Sequence, residues 1–286
     1  MQYVAPSTLA EAVQCLVQAE LPRILAGGTD LLIQLRQHNR HPSTLVDIKR
    51  IPETRDIREN GGELIVGAAV SGAEFTEHQV AAGLWPGVAE AFDLIGSTQI
   101  QGRASLGGNL CNASPAADTV PALIAAGAVA RIVGPGGERE LAVENVCAGP
   151  GKTHLQPGEF IVSFRFPKRP LHAGDAYLRF IPRTEMDIAV VGVGINLAIN
   201  SERVCESARV GLGAVAPTAL RVDEAADALV GTAVDEAALT NLAAAVSAAC
   251  KPINDKRGTV AYRTKVAGVL ARRCAVIALE RAQTSL

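Results

Sequence analysis

The sequence predicts a mixed α+β chain in two parts. Three observations carry that expectation. Short apolar strands alternate with helical patterns in the first half, a proline-rich break (FPKRP) falls near residue 170, and beyond it strands come first and helices after. With 286 residues the chain is long enough for one large domain or two ordinary ones. Hydrophobic residues make up 48% but aromatics only 3%, so the core must be built mainly from Ala, Val, Leu and Ile.

Taken in order, Ser7 or Thr8 can cap a first helix over LAEAVQCLVQAE, with Glu11 where a capping-box carboxylate belongs. The strand PRILA follows and runs into Gly27-Gly28-Thr29-Asp30. A second apolar stretch, LLIQLR, comes next, and after a polar loop STLVDIK reads as another strand. A Gly-Gly turn introduces the strand ELIVGAAV, and residues 73–96 read as helical stretches interrupted at Pro86. SLGGNLCNASPAAD is a glycine-rich turn and polar loop, followed by an apolar helix starting near Pro121. ARIVG and EFIVSFRFP read as strands. Past the break, AYLRFIPR and MDIAVVGVGINLAI read as adjacent strands and ARVGLGAVAPTALRV as a further strand and turn. EAADALV, the alanine-rich stretch after Asp235 and the final segment read as helices. The last of these has apolar residues at helical spacing and several arginines on its other face.

Composition excludes several classes of function. Lys plus Arg number 27 and Asp plus Glu 29, and no end is a charge block, which argues against a nucleic-acid partner. Six cysteines are scattered without a CxxC pair, a pattern that suits neither a zinc nor an iron–sulfur site within this chain, nor a disulfide framework. The N-terminus lacks a signal-peptide pattern and no apolar run reaches the ~18 residues of a membrane span, so a cytoplasmic protein with no membrane span is expected. His38, His41, His78, His154 and His172 show no metal-ligand spacing, and His38 and His41 fall in a polar loop that suits solvated side chains. There is no GxSxG elbow and no phosphate loop of the GxxxxGK[ST] type.

Two loops can carry chemistry. In Leu25-Ala26-Gly27-Gly28-Thr29-Asp30, adjacent glycines after a strand let the backbone turn sharply and bring its N–H groups to a bound anion, with Thr29 adding a hydroxyl. Taken alone, such a pair is often only a turn. The second loop runs Ser105-Leu106-Gly107-Gly108-Asn109, then Asn112-Ala113-Ser114-Pro115 and Asp118. Ser105, Asn109, Asn112 and Ser114 can hydrogen-bond phosphate or ribose, and Asp118 can accept from ribose hydroxyls. Two Gly-Gly loops suggest one extended dinucleotide straddling two small lobes. Neither fits GxGxxG, so this is no Rossmann fingerprint. Little acid–base machinery accompanies the loops, as suits a redox cofactor that carries its own chemistry.

AGGTDLL together with ASLGGNLCNASPAAD resembles the FAD-binding, or medium, subunit of the xanthine dehydrogenase and carbon monoxide dehydrogenase family of molybdenum hydroxylases. YLRFIPRTEMDIAVVGVGI, VGLGAVAPTALR and INDKRGTVAYRTKVAGVLARRC resemble that family's C-terminal domain, so the likeness spans nearly the whole chain. It implies a two-lobed FAD-binding domain of the vanillyl-alcohol-oxidase type over residues 1–170, with lobe one about 1–55 and lobe two about 56–170. A smaller C-terminal α/β domain with a three- to four-stranded sheet and helices would occupy residues 171–286.

The resemblance also assigns site residues. Ile24, Leu25, Ala26, Gly27, Gly28, Thr29, Asp30 and Leu31 match the first loop, whose backbone binds the pyrophosphate. Ser105, Gly108, Asn109, Asn112 and Asp118 match the second. Ile161 matches a position near the adenine, and Arg179 a basic position near the flavin where relatives often carry Lys. IPRTEMDIA, with Asp187 and Ile188, matches a mobile loop near the isoalloxazine. It carries Arg183 followed by Thr184 where relatives often have two basic residues. Cys111 is expected as a small residue beside non-covalent FAD rather than a flavin-linking thiol. The implied assembly is a dimer of heterotrimers. A small iron–sulfur subunit holds two [2Fe–2S] clusters, a large subunit holds the molybdenum cofactor, and this chain passes electrons through FAD to an external acceptor. The alternative is a stand-alone flavin oxidoreductase of the same broad fold, which would need a substrate pocket of its own.

Overall fold

A computed structural model describes residues 1–37 and 42–284; His38 and His41 lie outside the described residues. The chain opens with β1 (Gln2–Val4), α1 (Leu9–Gln18), β2 (Pro22–Leu25), α2 (Leu31–Gln37) and β3 (Thr44–Asp47). The strands form a parallel sheet in the order β1-β3-β2; α1 lies in the connection from one edge strand, β1, to the other, β2, and α2 in the crossover from β2 to its parallel neighbour β3. Of the two candidate cap residues of α1, Thr8 is the cap and Ser7 stands before it. Thr8 Oγ1 accepts the Glu11 N–H at 3.2 Å, and the Glu11 carboxylate takes the Ser7 N–H at 2.8 Å. Ala12 and Leu16, one turn apart, are the buried face.

β4 (Ile57–Asn60) and β5 (Glu63–Gly67) form a hairpin at Gly61-Gly62, where both residues take positive φ (62° and 89°) as a tight hairpin turn demands. Six helices follow: α3 (Gly72–Glu77), α4 (Gln79–Leu84), α5 (Pro86–Asp93), α6 (Thr98–Gln101), α7 (Leu106–Cys111) and α8 (Thr119–Ala126). Pro86 opens α5, where its missing N–H costs nothing. Strands β6 (Val129–Gly134), β7 (Gly137–Ala142), β8 (Cys147–Gly149), β9 (Lys152–Thr153) and β10 (Phe160–Phe166) come next. The resulting five-stranded antiparallel sheet has the order β4-β5-β10-β6-β7, and β8-β9 is a small separate hairpin. The scarce aromatics concentrate where this sheet meets its helices. Trp85 packs on Phe166 with ring centroids 5.6 Å apart, and Phe75 on Phe92 at 5.4 Å.

The proline-rich break is a pinned connector. Arg169 donates to Asp175 at 2.6 Å, to the Leu84 carbonyl, and lies 4.9 Å over the Trp85 ring, while buried Asp175 also accepts the Gly87 N–H at 2.8 Å. Past it, β11 (Ala173–Phe180), β12 (Val191–Ile199), β13 (Cys205–Gly213) and β14 (Leu220–Arg221) form a four-stranded antiparallel meander, within the expected three to four strands. Helices α9 (Asp223–Asp227), α10 (Glu236–Ala249) and α11 (Val260–Thr284) complete the chain.

Glycines let helices press onto both faces of this meander. On one face a Cβ at Gly174 would stand 2.0 Å from the Ala278 carbonyl of α11. On the other, Cβ atoms at Gly194 and Gly211 would stand 2.6 and 2.3 Å from the Pro121 carbonyl of α8. All eight residues of α8 are buried, so it joins the last sheet to the preceding helices. The arginines of α11 do not all share its outer face. Arg263 is buried, donating to the carbonyls of Val190 (2.8 Å) and Ala214 (3.2 Å) and to Asp255 (2.8 Å). Among the described residues no helix is long and apolar enough to cross a membrane.

Candidate functional site: a cleft between two glycine loops

The first loop links the end of β2 to the start of α2. It reverses in two residues because Gly28 takes a positive φ of 82°. Gly27 is required for a different reason. A Cβ there would lie 1.8 Å from the Arg103 carbonyl oxygen, so only glycine lets this loop meet the segment leading into the second one. The loop is fastened from below by Lys49, whose ammonium donates to the Ala26 carbonyl at 2.8 Å and to Asp47 at 2.7 Å; Asp47 also accepts the Tyr3 hydroxyl at 2.7 Å. Burial alone would raise the Asp47 carboxyl, but hydrogen bonds from Lys49 and Tyr3 hold it below the usual range. The backbone N–H groups of Gly27, Gly28, Thr29, Asp30 and Leu31 have no acceptor among the described residues.

The second loop enters α7. Ser105 caps it, its Oγ accepting the Gly108 N–H at 3.2 Å. Gly107 lets the helix touch the end of β5, since a Cβ would lie 2.7 Å from the Ala68 carbonyl. Asn109 Oδ1 accepts both the backbone N–H (3.1 Å) and the hydroxyl (2.7 Å) of Thr119. Asn112 Oδ1 accepts Gln34 Nε2 at 2.9 Å, which ties α2 to the second loop across the gap.

Between the loops lies a cleft of ≈ 660 Å³, within the range of about 300–1,000 Å³ usual for small-molecule and cofactor sites. Ile24, Ala26, Gly27, Gly28, Thr29, Asp30 and Leu31 from the first loop line it. So do Ser105, Gly108, Asn109 and Asn112 from the second, and Ile161 from β10. Three of the expected site residues stand elsewhere. Leu25 ends β2 and is not on the cleft wall. Asp118 and Arg179 pair with each other at 3.1 Å, with the Tyr177 hydroxyl 3.4 Å from the same carboxylate. Burial pushes the Asp118 carboxyl up to about 6, and Arg179 offsets this only in part.

A third wall was not legible in the sequence. Gly151, Thr153, Leu155 and residues 157–160 close the cleft from the β8–β9 hairpin and the turn before β10. Their Gly-Pro-Gly and Pro-Gly pairs mark turns, but nothing local says which way those turns face. Gln34 was likewise hidden within an apolar helical stretch. Cys111 also lines the cleft, and burial raises its thiol to about 12, so it stays protonated and is no nucleophile at neutral pH. The loop at residues 181–189 is exposed at Met186 and Ile188 and fastened by Asp187, which pairs with Arg183 at 3.2 Å and Arg257 at 3.1 Å.

The cleft's chemistry is that of a holder. Among the described residues no histidine lines it, and no group of three or more His, Cys, Asp or Glu can hold a metal ion. It offers unmatched donors on the first loop, amides on the second and apolar Ile24 and Ile161 along the walls. A dinucleotide such as FAD, with a diphosphate in its middle and ring systems at its ends, fits these residues.

Comparison with known proteins agrees with this geometry. Residues 1–169 match the family described as the FAD binding domain in molybdopterin dehydrogenase. Residues 176–277 match the CO dehydrogenase flavoprotein C-terminal domain. The chain is 34% identical over 282 residues to the carbon monoxide dehydrogenase medium chain of Afipia carboxidovorans, covering 98% of this chain and 96% of that one. It is 33% identical over 225 residues to the xanthine dehydrogenase FAD-binding subunit of Escherichia coli, covering 78% and 77%. Among solved structures, a chain of Cu,Mo-CO dehydrogenase superposes with a TM-score of 0.94 at 33% identity, covering 98% of both chains. Quinoline 2-oxidoreductase from Pseudomonas putida 86 follows at 0.90 and 28%, covering 99% and 98%. The chain therefore belongs to the family of FAD-binding subunits of molybdenum-dependent dehydrogenases, to which the medium chains of carbon monoxide dehydrogenase and xanthine dehydrogenase belong.

Proposed function

We propose that this chain is the FAD-carrying electron-transfer subunit of a molybdenum hydroxylase complex. The observation that carries the reading is the row of five backbone N–H groups, Gly27 to Leu31, that line a cleft and have no acceptor in the described chain. These donors are half-buried or exposed at the cleft and so are open to a ligand, and a pyrophosphate is an anion well shaped to satisfy a row of them. Bound FAD supplies the redox chemistry, accepting electrons from the [2Fe–2S] clusters of a small partner subunit and releasing them to an external acceptor, while a large partner subunit holds the molybdenum cofactor.

The chain's own residues bind and orient. Ile24 to Leu31 hold the pyrophosphate from one side, with Ser105, Gly108, Asn109 and Asn112 on the other and Ile161 beside the adenine. Asp118 and Arg179, which lie outside the cleft lining, would act as a pair, the carboxylate holding the guanidinium for a flavin that extends beyond the cleft. Residues 1–170 make the FAD-binding domain, split into lobes near residue 55, and residues 171–286 the C-terminal domain. The assembly is a dimer of heterotrimers in the cytoplasm, a setting in keeping with six cysteines that form no disulfide.

The test is an absorption spectrum of the purified chain and of the purified complex. Flavin bands in the chain alone, with iron–sulfur absorbance appearing only in the complex, are expected. A chain that is colourless and takes up no added FAD overturns the reading.

A further inference from the structure

Thr119 opens α8 and is completely buried, yet both of its donors go to one atom. Its backbone N–H and its hydroxyl meet Asn109 Oδ1 at 3.1 and 2.7 Å. Asn109 lines the cleft, whereas Thr119 stands behind it. A backbone N–H can only donate, so the atom it meets must be the amide oxygen and not the amide nitrogen. The side-chain amide of Asn109 therefore has one orientation, imposed by α8. Its oxygen is turned to Thr119. Its NH2 has no acceptor among the described residues and is not sealed from solvent, so it is left for a ligand. The Asn112 oxygen is occupied in the same sense by Gln34. With the unmatched N–H row on the facing loop, the cleft offers donors from both walls, the arrangement an anion needs.

We infer that Thr119 is a positioning residue for the cofactor, holding Asn109 by two hydrogen bonds so that only the amide NH2 is offered to the pyrophosphate. The inference deepens the FAD reading above and rests on it. It also explains why a polar residue starts a helix that is otherwise wholly apolar and buried.

The experiment is a titration of the FAD-stripped full-length chain with FAD, followed by quenching of flavin fluorescence. Wild type is measured first, and if it takes up no FAD, both readings fall. Thr119→Val keeps the shape and the backbone donor but loses the hydroxyl. Its Kd is expected to rise about tenfold, the value of one hydrogen bond, and Thr119→Ser to return to within about threefold of wild type. A merely structural role would lower affinity regardless of Asn109. Positioning requires instead that Thr119→Val change the Kd by less than about twofold once Asn109 is already Ala, because the two residues act as one unit. Wild-type affinity in Thr119→Val, or an undiminished effect in the Asn109→Ala background, overturns the inference while leaving the FAD reading intact. Should Thr119→Val not fold, as judged by circular dichroism, Asn109→Asp decides. It keeps the oxygen that faces Thr119 but sets a carboxylate oxygen where the NH2 stood. A rise in Kd of at least about a hundredfold is expected from an anion facing an anion, and wild-type affinity in that variant overturns the inference.

Discussion

Single residues in the cleft are constrained for distinguishable reasons, and substitutions can separate them. Gly27 is fixed by a neighbouring backbone 1.8 Å from where its Cβ would be, so any side chain there must part the two loops. Gly108 is exposed on the cleft wall, and a Cβ would meet nothing nearer than the Ser105 hydroxyl at 3.1 Å. Gly108→Val should therefore fold with stability within about 1 kcal/mol of wild type, since valine costs a helix no more than glycine does. Its branches would fill space that the proposal gives to FAD, and affinity should drop roughly a hundredfold, ~2.7 kcal/mol. Normal flavin content in that variant would remove the second loop from the site.

Asp118 is constrained by charge. Its folded pKa, pushed to about 6 by burial against the partial help of Arg179, lies above an unfolded value of about 4. The folded chain thus binds this proton more tightly. The stability it contributes is full below about pH 4 and is lost as pH rises through about 6. Asp118→Asn removes that dependence. Urea titrations should show wild type losing on the order of 2–3 kcal/mol relative to the variant between about pH 4 and pH 7. A flat difference across that window would refute the buried, destabilised carboxylate.

At the scale of elements, α8 backs the site without lining it. It leaves the second loop through Thr119 and presses Pro121 into a glycine floor on β12 and β13. Its sequence, TVPALIAA, is apolar all round, as a helix buried on every side must be. Gly211→Val would drive a side chain into the Pro121 carbonyl, 2.3 Å from the new Cβ. Overpacking usually costs about 1–3 kcal/mol, and against backbone the cost should be about 3 kcal/mol or more. Chemical denaturation measures it, and an unchanged midpoint would show that α8 does not rest on that strand. The start of α1 was readable from local chemistry, because caps act within one turn: Thr8 with Glu11. Pro86, an interruption in the sequence pattern, opens α5, and Asp235 caps α10. The burial of Arg263 was not readable. Its partners, the carbonyls of Val190 and Ala214, are far away in sequence.

For the whole molecule, the three main sheets are joined by segments distant in sequence: an apolar cluster in which Ala12 and Val46 meet Val133 and Val162, Gln34 to Asn112 across the cleft, Arg169 with Leu84 at the break, Arg209 with Glu144, Arg281 with Glu90, and α8 on the last sheet. The cleft is lined from the first two sheets and the loops attached to them, so it exists only when those two are in place together. The same molecule lacks, among its described residues, any grouping of side chains fit to hold a metal. The proposed test accordingly looks for iron–sulfur absorbance in the complex and not in this chain.

Short-range chemistry is what the chain announces in advance: the strands with clear apolar runs, most of the helices, the cap at Thr8, the turns at Gly28 and Gly61-Gly62, and the two polar glycine loops, whereas β1, β4, β7, β8, β9, α6 and α7 carry no such signal. The resemblance of those loops to a known family supplied the cofactor, and the family matches agree with it. Which surfaces face each other was set by the assembled fold. It placed Ile24 and Asn109 on opposite walls of one cleft, brought the turns at Gly151 and Gly158 in as a third wall, and set Asp118 against Arg179 outside it. The physical reason is that backbone propensity and capping are settled within a few residues. The closeness of two loops 80 residues apart depends instead on sheet register, and on glycines that permit a contact no local pattern announces.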